Sequence, residues 1–203
     1  EAVLRCINPS CEAILKGSIV HWVSRDALDI NGLGEKLVEQ LVDAKFVTSV
    51  ADLYDLTVAK LMTLERMGEK SATKIIQAID SSKSKPWSRV LYGLGIRQIG
   101  DNGANIITEK FTSVDRLIQA DVAEIEEIRD VGGETARSVS NWFKQPLNLA
   151  LVDRLRAAGL QFEQEKIAGS DDSPKALTGK TFVLTGTLPT LKRDEAKELI
   201  QKY

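Results

Sequence analysis

Ile30-Asn31-Gly32-Leu33-Gly34-Glu35-Lys36-Leu37-Val38-Glu39-Gln40-Leu41 decides the fold, because its frame recurs three times further along the chain. Gly34, Gly68, Gly100 and Gly132 are spaced 34, 32 and 32 residues apart. Each closes a hydrophobic-x-x-hydrophobic-Gly frame that begins at Ile30, Leu64, Ile96 or Ile128. Four residues past each glycine stands Val38, Ala72, Ala104 or Ala136, and seven past it Leu41, Ile75, Ile107 or Val139. One such glycine means little. Four in register define a repeated supersecondary unit, and a repeat fixes the architecture before any single element does.

The apolar residues four and seven past the glycine share one helical face. The polar residues just after it (Glu35-Lys36, Glu69-Lys70-Ser71, Asp101-Asn102) suit a first helical turn. Each unit therefore reads as helix, tight hairpin, helix, and the predicted fold is mainly α with four tandem units. The glycine either takes a positive φ or lets something approach closely. Amides at the start of the following helix lack partners and make an anion site. Where several such sites stand on one protein, the natural anion is a phosphate backbone. The competing reading of a single unit is a plain packing module with glycine caps; the fourfold register favours binding.

The units resemble the helix-hairpin-helix motif, hydrophobic-x-Gly-hydrophobic-Gly. Only Ile30-Asn31-Gly32-Leu33-Gly34 matches it fully; Arg66, Gln98 and Asp130 replace the first glycine elsewhere. Those three hairpins are expected to be distorted or to contact DNA less well. Asp130 would repel a phosphate, which makes the fourth hairpin the weakest candidate, with Gly133 restoring some flexibility. The candidate DNA contacts are Gly32, Gly34, Lys36, Gly68, Lys70, Arg97, Gly100, Asn102, Gly132 and Gly133. Arg66, Lys74, Lys83, Lys85 and Arg89 also lie near hairpins, each either a phosphate contact or a solvated helix face.

With 203 residues, 43% of them apolar, the chain can build a core, though not a single one throughout. A net charge of −2 argues against a polycation that coats nucleic acid. It leaves room for phosphate binding through backbone amides, which needs no net positive charge. Few aromatics make base stacking an unlikely main mode. No stretch approaches the roughly 20 apolar residues of a membrane span, and no signal peptide is visible.

Cys6 and Cys11 flank an Asn8-Pro9-Ser10 turn. They read as two unrelated small residues, as a strained local disulfide, or as two of four tetrahedral zinc ligands. His21, the lone histidine, is better read as packing than as a third ligand. Two cysteines are not expected to hold zinc tightly without further ligands. Beyond Phe162 the polar run around Gly169-Ser170-Asp171-Asp172-Ser173-Pro174 reads as a linker over 161–175. A buried strand, Thr181 to Leu184, and an amphipathic helix, Leu191 to Tyr203, then open an α/β unit. Leu191, Ala196, Leu199 and Ile200 form the helix's inward face, and about 28 residues are too few to complete such a domain. The phosphate-loop and dinucleotide glycine patterns are both absent, the latter failing at Gly93-Leu94-Gly95.

In this order the parts resemble the C-terminal portion of bacterial NAD-dependent DNA ligase. Arg5-Cys6-Ile7-Asn8-Pro9-Ser10-Cys11 is similar to the second half of that family's four-cysteine zinc finger. His21-Trp22-Val23-Ser24-Arg25-Asp26-Ala27-Leu28-Asp29-Ile30 is similar to the entry of its helix-hairpin-helix domain. Leu91-Tyr92-Gly93-Leu94-Gly95-Ile96-Arg97 resembles the lead into the third hairpin, and Thr178-Gly179-Lys180-Thr181-Phe182-Val183-Leu184-Thr185-Gly186 the opening of the BRCT domain. The resemblance implies four parts: half a zinc finger over 1–21 with Cys6 and Cys11 as metal ligands, the helix-hairpin-helix domain over 22–160, the linker over 161–175, and a truncated BRCT domain over 176–203. It implies an enzyme that seals nicks in duplex DNA during replication and repair, using NAD and magnesium elsewhere in the full-length protein. No catalytic residue is expected in this chain, and the chain is expected to be inactive alone. The expected partner is nicked double-stranded DNA, gripped through the minor groove by a monomer in the bacterial cytoplasm. The alternatives are a hairpin module of another repair or recombination protein, and a structural helical array.

Overall fold

Gly34, Gly68, Gly100 and Gly132 each stand immediately before a helix in the computed structural model, which describes residues 11–164 together with 182–184, 186, 196, 199 and 200. The elements are α1 (Glu12–Val23), α2 (Glu35–Asp43), a 3-10 helix (Val50–Asp55), α3 (Val58–Leu61), α4 (Glu69–Ser82), α5 (Trp87–Gly93), α6 (Asp101–Lys110), α7 (Val114–Gln119), α8 (Val122–Glu126), α9 (Gly133–Phe143) and α10 (Pro146–Ala157). Across the four hairpins α1 packs on α2, α3 on α4, α5 on α6 and α8 on α9. The expected mainly α fold of four tandem units is what forms.

The register read from the sequence is the register of the core. Val38, Ala72, Ala104 and Ala136 are all fully buried, as are Leu41, Ile107 and Val139, with Ile75 nearly so. Burying these side chains, at about 25 cal/mol per Å² of apolar surface, supplies the main stabilisation of the array. The buried residues make one connected cluster from Ile19 to Phe162, with Trp22 and Trp87 wholly enclosed. Gly93, the last residue of α5, marks the tightest seam. A Cβ there would stand 2.8 Å from Leu28 Cδ2 and 3.0 Å from Trp22 Cε3, so only glycine lets α5 approach the end of α1. Three polar groups cross this core in a chain. Trp22 Nε1 donates to Tyr54 Oη (3.2 Å), Tyr54 pairs with Ser82 Oγ (3.2 Å), and Ser82 donates to the Ile79 carbonyl (2.6 Å). Burial raises the Tyr54 hydroxyl pKa, against the opposing pull of the Ser82 and Trp22 hydrogen bonds.

Two expected boundaries fall inside ordered structure. Glu12–Val23 is one helix whose second half supplies Ile19 and Trp22 to the core, so a division after residue 21 cuts a helix. At the other end Phe162 is buried at 5.4 Å, ring to ring, from Trp87. There Val114 N donates to the Phe162 carbonyl (2.9 Å) and Gln164 N to that of Thr112 (2.7 Å), so residues 161–164 close the helical unit. The compact units are Glu1–Gln164 and Glu165–Tyr203.

Most of the expected linker and α/β segment lies outside the described residues. Within it, Phe182 and Val183 are 44% and 80% exposed and 182–184 form no strand, against the buried strand expected there. Ala196 is helical and buried as expected, whereas Leu199, expected inward, is 41% exposed.

Candidate nucleic-acid interface

The repeated glycines do not take positive φ. Gly34, Gly68, Gly100 and Gly132 have φ of −80°, −89°, −93° and −79°, in extended backbone open to any residue. The left-handed residue lies two positions earlier in every hairpin: Gly32 at +96°, Arg66 at +59°, Gln98 at +68° and Asp130 at +66°. The three substituted hairpins are therefore not distorted. They follow the same backbone path, and the non-glycine residue bears the strain of about 1–2 kcal/mol. Nor does Gly133 supply flexibility to the fourth hairpin, because it is the first residue of α9.

What the repeated glycines provide is open space. An added Cβ at any of the four would meet no atom of the described residues within 4 Å. Neither internal packing nor φ demands glycine there, which leaves close approach from outside as its physical use. Among the described residues, no side chain caps α2, α4, α6 or α9. Elsewhere α3, α7 and α8 are capped by side chains, whereas α1, α5 and α10 are not. Thr57 Oγ1 accepts from Lys60 N (3.2 Å), Ser113 Oγ from Arg116 N (3.3 Å) and Asp121 Oδ1 from Glu124 N (2.8 Å). The four glycine-headed helices thus keep uncapped N-terminal amides, with the positive end of each helix dipole behind them.

The candidate residues surround these starts. Gly32, Gly34, Lys36, Gly68, Lys70, Arg97, Gly100, Asn102 and Gly132 are exposed, and Gly133 is half-buried. Lys36, Lys70 and Arg97, with Arg66 and Lys74, form no ion pair among the described residues, so their charge is available to an outside anion. Three other cations are engaged within the fold. Lys83 pairs with Asp80 (2.8 Å) and Lys85 with Asp29 (3.3 Å), while Arg89 Nη1 donates to the carbonyls of Arg25 (3.1 Å) and Ala27 (3.5 Å). Arg89 and Lys85 hold the first hairpin in place rather than facing outward.

The hairpins are fixed to their neighbours by contacts invisible in the repeat. A Cβ on Gly32 would meet Ile75 Cγ1 at 2.9 Å, so the first hairpin is seated directly on α4. Glu65 N donates to Gln40 Oε1 (3.0 Å), tying the second hairpin to α2. The third borders a cleft of about 480 Å³ between Ile14, Gly17 and His21 of α1 and Ile96, Ile99 and Gly100. His21 packs there, its Nε2 bonded to the Tyr92 carbonyl (2.8 Å) and its ring edge-on to Tyr92 at 4.6 Å.

Of the two zinc candidates only Cys11, the half-buried residue before α1, lies among the described residues; Cys6 does not. One thiol is not a zinc site, and no group of three or more metal-binding side chains occurs among the described residues. No described helix is long and apolar enough to cross a membrane.

Comparison with known proteins agrees with this geometry. Residues 24–81 match the family described as a SAM-like helix-hairpin-helix tandem, and residues 89–152 the helix-hairpin-helix motif. Over 99% of its length the chain is 50% identical to a DNA ligase of Synechococcus sp. (strain CC9311). It spans 30% of that relative's length.

Proposed function

We infer that this chain, which belongs to the DNA ligase family and carries its helix-hairpin-helix units, grips duplex DNA through the uncapped starts of its glycine-headed helices. The observation that carries the reading is the bare glycine, open to approach from outside, at the start of every repeated helix. The chain places Thr, Ser and Asp caps on α3, α7 and α8 but keeps bare glycines, with open space above them, at the repeated hairpins. Amides at those starts bind phosphate oxygens, which position DNA without reading its sequence. A ligase has to act on any sequence, and this mode of contact suits it.

On the first three hairpins the contact runs through Gly34, Gly68 and Gly100, flanked by Lys36, Lys70, Arg97 and Asn102, with Gly32 shaping the first. The substrate we propose is nicked duplex, held by a monomer in the bacterial cytoplasm. Strand joining with NAD and magnesium belongs to the whole enzyme, for which this chain supplies grip and no catalytic residue. Cys6 and Cys11 would complete a zinc site with two further thiols.

Fluorescence anisotropy of a labelled nicked duplex, titrated with this chain at several salt concentrations, tests the reading. Binding should weaken steeply, with a log–log slope near −0.9 for each phosphate neutralised. Absence of binding at low salt, or affinity indifferent to salt, would refute it and favour a purely structural array.

A further inference from the structure

The fourth hairpin keeps the backbone path of the other three and is more acidic than any of them. Six residues before the glycine stand Leu28, Met62 and Leu94 in the first three units, and Glu126 in the fourth. Two residues before it stand Gly32, Arg66 and Gln98, then Asp130; two residues after it, Lys36, Lys70 and Asn102, then Glu134. At three register positions the fourth unit alone carries a carboxylate.

The structure shows where one of these goes. Gly133, the first residue of α9, replaces the acidic residue that opens α2, α4 and α6. Glu126 reaches from the last turn of α8 into the space this vacates. Its Oε1 lies 2.9 Å, and its Cδ 3.4 Å, from where a Gly133 Cβ would stand. The carboxylate thus lies against the first turn of α9, with no hydrogen bond to its amides among the described residues. Arg137 Nη1 is 3.4 Å from the same point, but its Nη2 is paired with Glu134 at 2.6 Å. Arg129 lies 3.9 Å from Asp130. Both local cations therefore face local acids.

Resting on the DNA-binding reading above, we propose that the Glu126 carboxylate, with Asp130 and Glu134, bars phosphate from the fourth hairpin, so that DNA is gripped by the first three hairpins only. A carboxylate beside a helix start gains from the same dipole as a phosphate does. Asp130 and Glu134 add repulsion towards any backbone that approaches. The fourth unit completes the fold through α9 and α10 and limits the footprint on DNA to three hairpins.

The test is a set of single variants, Gly34→Ser, Gly68→Ser, Gly100→Ser and Gly132→Ser, with a triple variant Glu126→Gln, Asp130→Asn, Glu134→Gln. Serine caps a helix better than glycine does, so each protein should stay folded, as circular dichroism melts would verify. The new side chain occupies the amides and fills the open space. The first three variants should each weaken binding about fivefold, while Gly132→Ser stays within twofold of the parent. The triple variant should bind more tightly and steepen the slope by about one contact. A Gly132→Ser loss equal to the other three, or a triple variant indistinguishable from the parent, would overturn the proposal. Salt-independent binding by the parent chain would instead bring down the hairpin reading itself, before any variant is made.

Discussion

At the residue scale, the hairpin asks one position for an unusual backbone and another for an absent side chain. Gly32 meets two demands at once: φ of +96° and contact with Ile75. Gly32→Ala should cost roughly 1–3 kcal/mol, read as a lowered urea midpoint with an unchanged slope. Gln98 stands at the equivalent site at φ +68°, exposed and without such a contact. Gln98→Gly relieves left-handed strain while adding freedom to the unfolded chain. The net should be a stabilisation of about 0.5–1 kcal/mol, and no gain in Tm would show that the hairpin holds no strain there. The repeat itself was legible from the residues, because hydrophobic spacing and glycine both leave a mark in sequence. Which glycine carries the positive φ was not. Arg66, Gln98 and Asp130 lack glycine's signature, and the local turn overrides their intrinsic preference. The carboxylate at Glu126 was also present in sequence, but at a position where the other units hold ordinary apolar residues, so nothing marked it as a contact to α9.

At the element scale, the 3-10 helix is the joint between the start and the end of the helical unit. Asp52 accepts from Thr48 N (2.6 Å), Thr48 Oγ1 (2.8 Å) and Ser49 N (2.9 Å), closing a capping box. Arg154 of α10 then binds Asp52 (2.6 Å), Ser49 Oγ (3.1 Å) and Asp55 (3.4 Å). Partial burial works to raise the Asp52 carboxyl, yet Arg154 and the Thr48 and Ser49 hydrogen bonds outweigh it and hold the pKa below the usual value. A carboxyl depressed in the folded state stabilises above its unfolded pKa of about 3.9, and that contribution disappears as pH falls through the lower folded value. Stability should therefore be level through neutral pH and fall in acid. Asp52→Asn should cost about 1–2 kcal/mol at pH 7 and flatten the acid limb. Equal acid sensitivity in variant and parent, followed by chemical denaturation from pH 7 to pH 3, would remove Asp52 from this role. No sequence pattern announces this joint, since its partners are about 100 residues apart and meet only when the helices close on each other.

At the scale of the whole helical unit, the question is whether four repeats behave as beads or as one body. Repeats that touch only their neighbours can unfold piecemeal. Here the buried cluster is continuous from Ile19 to Phe162, and contacts far apart in sequence tie it shut: Arg154 to Asp52, Gly32 to Ile75, and Phe162 to Trp87. Phe162 is the sharpest probe, because composition alone sets it at the edge of a polar run that reads as linker. It is 4% exposed and packs on Trp87, whose indole N–H donates to the Phe111 carbonyl at 3.2 Å. Phe162→Ala should therefore cost about 3–5 kcal/mol, as for any large aromatic removed from a core. The loss should be shared by the whole unit, so that tryptophan fluorescence and far-UV circular dichroism shift to the same lower urea midpoint. If fluorescence shifted while most helical signal kept the parent midpoint, the array would be unfolding repeat by repeat. Three hairpins would then reach DNA as separate modules, and the rigid spacing between Gly34, Gly68 and Gly100 would cease to be a reason for binding.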